Sequence, residues 1–140
     1  MSSNTRIAVY LRSPVPAGTE QRQSYVLGRA DSLRQQGLVD DVSVSYWHRL
    51  STGINPRETA EIEALERWAA DNGCTLAPAF DRRAGRGDAV TLPLACVAYW
   101  EDDELVAVSP HAGTCGHCTV VDGLDRIEAA LRSDEPLARP

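Results

Sequence analysis

Cys115-Gly116-His117-Cys118 sets two thiols three positions apart, beside an imidazole, with a second imidazole at His111. Two chemistries use that spacing. A zinc ion takes thiolate and imidazole ligands in a tetrahedron, and His111, Cys115 and Cys118 supply three of them at short range. The fourth ligand would come from elsewhere in the chain, with Cys74, Cys96 and His48 as the available donors. A dithiol can instead cycle through a disulfide, with Cys115 attacking, Cys118 resolving, and His117 together with a following helix N-terminus favouring the thiolate. His117, flanked by both cysteines, is cast as a tuning group rather than a ligand. A polar loop with two incidental thiols is the plain alternative to both.

Other groups carry weaker signals. Asp81-Arg82-Arg83-Ala84-Gly85-Arg86-Gly87-Asp88 is the one cationic cluster, and Arg82, Arg83 and Arg86 among glycines could hold an anion or a nucleic-acid backbone. A solvated loop, part-neutralised by Asp81 and Asp88, is the competing reading. His48 lacks a nucleophile or carboxylate partner at catalytic spacing. Tyr46, Trp47, Tyr99 and Trp100 are expected to pack on a sheet, as aromatics in strands do. Cys74 and Cys96 read as core thiols.

The elements that position these groups follow from periodicity and punctuation. Ile7, Val9 and Leu11 alternate up to Pro14, giving a first strand over residues 6 to 13. Thr19 as N-cap, Val26, Ala30 and Leu33 at helical spacing, and Gly37 as stop define a helix. Val42, Val44 and Tyr46 form a second strand, expected to lie parallel to the first if both share a sheet. Asn55 and Pro56 open a second helix with Ile62, Leu65, Trp68 and Ala69 on its apolar face, closed by Gly73. A weak strand over 75 to 80 follows, then a hairpin of residues 90 to 100 and 105 to 109 with the acidic tip Glu101-Asp102-Asp103-Glu104. Thr119 and Asp122 have capping-box spacing for a last helix through Leu124, Ile127 and Leu131. The expected fold class is α+β: a two-layer sandwich with helices on a mixed sheet of about five strands, in the order β-α-β-α-β-β-β-α. A single domain spanning residues 1 to 140 is expected, with 133 to 140 a frayed tail.

Composition narrows the function classes. The chain has 140 residues, and its 14 basic groups against 20 acidic ones leave a net charge of −6, which disfavours capture of nucleic acid or an anionic membrane. All the basic residues are arginine, a bias that fits a GC-rich genome and a salt-adapted cytoplasm. At high salt the charge argument weakens, because the Debye length falls to about 3 Å at 1 M. The chain carries no membrane-spanning apolar run, and no secretory signal is read at Met1 to Arg6, so a cytoplasmic location is expected.

The segments Arg6 to Ser13, Val39 to Trp47, Trp68 to Gly73, Leu76 to Phe80, Leu92 to Cys96 and Thr119 to Asp122 resemble small haloarchaeal proteins labelled as helix-turn-helix domain proteins. The resemblance covers most of the chain and implies a DNA-binding regulator without giving any residue a role. Three functions are therefore carried forward. The first is a small non-enzymatic interaction or regulatory protein, with an unidentified protein partner and a zinc-binding corner at His111, Cys115 and Cys118. The second is a thiol-disulfide redox protein using Cys115 and Cys118. The third is the DNA-binding regulator.

Overall fold

The computed structural model describes the backbone of residues 4–12, 18, 20–47, 56–76, 81–82, 90–91, 95–113 and 116–133. A four-stranded sheet forms its centre. Strand β1 (Thr5–Arg12), helix α1 (Glu20–Gln35) and strand β2 (Asp41–Trp47) make the expected unit, with β1 and β2 parallel and Ile7 opposite Val42. Helix α2 (Pro56–Asp71) leads to three two-residue strands, β3 (Cys74–Thr75), β4 (Asp81–Arg82) and β5 (Val90–Thr91). Strands β6 (Ala95–Glu101) and β7 (Glu104–Ser109) then complete the main sheet in the order β2-β1-β6-β7, with β6 antiparallel to both neighbours. After them come β8 (His111–Gly113), β9 (Gly116–Cys118) and α3 (Val120–Ser133).

Local chemistry explains the boundaries. Gly37 adopts φ +74°, and the bonds Leu38 N–H to Leu33 C=O (3.0 Å) and Gly37 N–H to Arg34 C=O (3.0 Å) end α1 in a Schellman motif. Gly73, at φ +69°, closes α2 in the same left-handed conformation. Between β6 and β7, Asp102 and Asp103 both have positive φ, as a tight two-residue hairpin turn demands. Asp102 is held there by Asn4, whose N–H donates to its Oδ1 at 2.8 Å. The Thr119–Asp122 capping box forms as expected: the Asp122 N–H donates to Thr119 Oγ1 and the Thr119 N–H to Asp122 Oδ2, each at 3.1 Å.

The α+β class holds, with helices on a mixed sheet, but the helices cover both faces. Five successive residues are buried in β1 and five in β6, the pattern of strands apolar on both sides. Ile7, Val9, Leu11, Val97 and Tyr99 meet Val26, Ala30 and Leu33 of α1 and Leu124 and Ile127 of α3. Ala8, Tyr10, Cys96 and Ala98 meet Leu65, Trp68 and Ala69 of α2 on the other face. The layering is thus helix–sheet–helix rather than two-layer, because both alternating sets of side chains in these strands are largely apolar, so each face of the sheet needs a helical cover.

The strand inventory also differs. Among the described residues the main sheet has four strands; of the weak strand expected over 75 to 80, residues 77–80 lie outside the described residues, and Thr75 belongs to β3, which pairs with β8 in a second sheet of order β3-β8-β9. The expected single strand from 90 to 100 is two strands, β5 serving β4 and β6 serving β1. Thr19, His48, Asn55, Pro93 and the tail beyond Ser133 lie outside the described residues. Among the described residues no helix is long and apolar enough to cross a membrane.

Candidate functional site

The segment read as a loop around the CGHC motif is a hairpin. In β8 and β9, His111 stands opposite Cys118, Ala112 opposite His117 and Gly113 opposite Gly116, so Thr114 and Cys115 are the two connecting residues. Strand β3 adds Cys74 opposite Gly113. Because alternate residues of a strand share a face and opposed residues share it across strands, Cys74, His111 and Cys118 stand on one face of this sheet. The sequence-predicted ligands His111 and Cys118 are therefore brought together. Cys115 lies outside the described residues, as do Arg83 and Arg86, and nothing further is described of the side chains of His117 and Arg82. The backbone of Arg82 pairs with Val90.

His111 is held firmly. It is 7% exposed, its Nδ1 lies 2.6 Å from the Val108 carbonyl oxygen, and its ring meets Trp68 edge-on at 5.5 Å. A carbonyl only accepts, so Nδ1 carries the proton and Nε2 is left as the acceptor or ligand atom. Trp68 is fixed in turn by donating from Nε1 to the Val106 carbonyl at 3.0 Å. An imidazole tethered by one nitrogen to the backbone is how ligating histidines are commonly oriented.

The three described thiols differ in burial. Cys118 is buried rather than accessible, and burial raises its pKa above the ordinary thiol value; Arg126 opposes that shift, while Asp122 and Cys74 add to it. Cys96 is fully buried in the sheet and its pKa is pushed up by burial alone, in keeping with a core thiol. Cys74 is half-buried rather than fully so, with its Sγ 3.5 Å from the Asn72 carbonyl oxygen. Among the described residues no three His, Cys, Asp or Glu side chains are grouped to hold a metal ion.

A second surface was not legible in the sequence. Helix α1 buries Gln23, Val26, Ala30 and Leu33 and turns Gln21, Arg22, Ser24 and Tyr25 to solvent. Its three arginines outnumber its two acids, whereas α2 has two arginines against five acids and α3 two against three. Arg29 is already engaged by Asp125 at 2.8 Å and Glu128 at 3.3 Å, and Arg34 by Asp31. The low apolar content of this helix was the available signal, but only the packing shows which side faces out.

A family model described as a helix-turn-helix domain matches residues 1–132. The chain belongs to this family. It has no significant match among curated proteins or among solved structures. Within the described residues α1 and α2 are separated by β2, and α2 and α3 by strands, so no two helices are joined by the short turn of a DNA-reading pair.

Proposed function

We propose that the protein is a DNA-binding regulator that uses the exposed face of α1. Family membership across residues 1–132 carries this reading. The helix supports it with side chains suited to duplex contact: Arg22 for phosphate or guanine, Gln21 and Ser24 for base edges, and Tyr25 for the sugar-phosphate backbone. The overall charge of −6 makes binding depend on this local surface rather than on a general field. Selection from a random duplex pool at low salt, followed by a salt titration by fluorescence anisotropy, tests it. Binding should fall with a slope of about −0.9 per neutralised phosphate in a log-log plot, and Arg22→Glu should weaken it at least ~10-fold. Absence of any retained duplex at low salt rejects the reading.

A second reading is favoured by the tethered imidazole opposite a thiol. Here His111 Nε2, Cys118 and Cys115 hold a zinc ion that stiffens the corner ahead of α3, with Cys74 on the same sheet face as His111 and Cys118 as a further thiol. Metal analysis of protein prepared without chelator, with thiol titration before and after EDTA, decides it: stoichiometric zinc whose removal unmasks at least two thiols is expected, and metal-free protein with freely reactive thiols rejects it. In that reading a redox role for Cys115 and Cys118 is displaced, since a ligated thiolate is not free to attack a disulfide.

A further inference from the structure

We infer that the outer edge of β2 seats a second copy of this chain, antiparallel about Val44, so that two four-stranded sheets join into one. β2 ends the strand order β2-β1-β6-β7, and its outer side has no pairing partner among the described residues. Such an edge is normally blunted by lysine, proline, a bulge or inward charge. Asp41-Val42-Ser43-Val44-Ser45-Tyr46-Trp47 contains neither lysine nor proline, and it pairs with β1 in unbroken register over all seven residues. Val44 is 42% exposed and Tyr46 55% exposed, two of the three large apolar side chains most open to solvent among the described residues.

The strand's own order identifies the occupant. Pairing about Val44 sets Val44 against Val44 of the second copy, Val42 against Tyr46, Ser43 against Ser45, and Asp41 against Trp47. Apolar meets apolar on the α1 side, serine meets serine on the other, and no like charges face each other. A shift of two residues, the smallest that keeps the faces matched, would leave either Tyr46 and Trp47 or Asp41 and Val42 unpaired. Between α1 and β2 runs an open trough of about 600 Å³ lined by Leu27, Gly28, Val42 and Val44, with Asp31, Arg34 and Asp41 as its charged residues. Tyr46 of the second copy, opposite Val42, is placed to fill it. Antiparallel copies of α1 also bring the acidic first turn at Glu20 toward the last turn at Arg34, whose guanidinium is shared with Asp31 of its own helix. Gly28, with open space where a Cβ would stand, lets them approach.

Sedimentation equilibrium of the full chain should give twice the chain mass. Val44→Lys, which sets two ammonium groups against each other on the two-fold axis, should raise the dimer dissociation constant at least ~100-fold while leaving the circular dichroism unchanged. Val44→Cys should cross-link to itself under mild oxidation, since directly opposed Cα atoms lie within disulfide reach. Ser43→Cys, which faces Ser45 of the second copy, should cross-link no faster than the wild type, whose own cysteines set the baseline. A monomeric wild type at its highest soluble concentration, a dimer unaffected by Val44→Lys, or equal cross-linking by the two cysteine variants would overturn the proposal.

Discussion

The two faces of the central sheet differ in kind. Against α1 and α3 the buried set is dominated by aliphatic side chains: Ile7, Val9, Leu11, Val26, Leu33, Leu124 and Ile127. On the α2 side lie Tyr10, Cys96 and the helix's own Trp68, with Cys74 packed at the margin and His111 leaning on Trp68. The first face is mainly close packing, with one directed bond from the Tyr99 hydroxyl to Glu101 Oε1 at 3.0 Å. The second combines packing with directed hydrogen bonds, and the imidazole and the half-buried thiol sit at its margin. The difference teaches where change is tolerated: the aliphatic face sets stability, while the aromatic face also sets the orientation of groups that can bind.

The largest expected effect tests the aliphatic face. Leu124→Ala, at a fully buried position, should cost about 2–5 kcal/mol in urea denaturation, with no change in thiol titration of the folded protein. Altered thiol reactivity in that variant would break the separation between the faces. Next comes the contact of α3 with β7. A Cβ at Gly123 would run into the side chain of Ser109, so Gly123→Ala should lose about 1–3 kcal/mol. Adding Ser109→Gly should recover much of that loss, because the clashing atoms are the Ser109 Oγ and Cβ.

On the aromatic face, Trp68→Phe keeps most of the ring but removes the donor to Val106. About 1 kcal/mol of stability should go, and the NMR signals of the His111 ring should shift while the methyl signals of Leu124 and Ile127 stay in place. The smallest effect is a slope. The Cys96 thiol has its folded-state pKa raised by burial above the ordinary 9.0, so the folded chain holds that proton more tightly than the unfolded one. Its contribution is complete below pH 9 and is lost as pH rises beyond 9 toward the folded value. Stability of the wild type should therefore decline above pH 9, and Cys96→Ala, although less stable at neutral pH, should decline less steeply.

Much of the local structure was written in neighbouring residues. Gly37 and Gly73 closed their helices, Thr119 and Asp122 opened the last one, and the acidic hairpin tip fell where it was expected. The hairpin at residues 111–118 was missed because three-residue strands rich in glycine, histidine and cysteine have no usable alternation, and their pairing is supported by a distant partner, Cys74-Thr75. His111 and Cys118, proposed from spacing as ligands, stand opposite each other in β8 and β9. Burial of Cys118 and the Val108 tether of His111 could not be read, since both depend on how β7 and β8 are set against α2 and α3.

By itself the sequence determined the helices, the parallel β1-α1-β2 unit and the residue types available for ligation, because each depends on spacing within one or two turns or a single crossover. Only the tertiary structure decided that helices cover both faces of the sheet, that Gly116 to Cys118 pair as a strand, and that β2 ends the main sheet among the described residues. Those are matters of long-range register, in which strands from opposite ends of the chain, β1 and β6, must choose each other before any face has an inside.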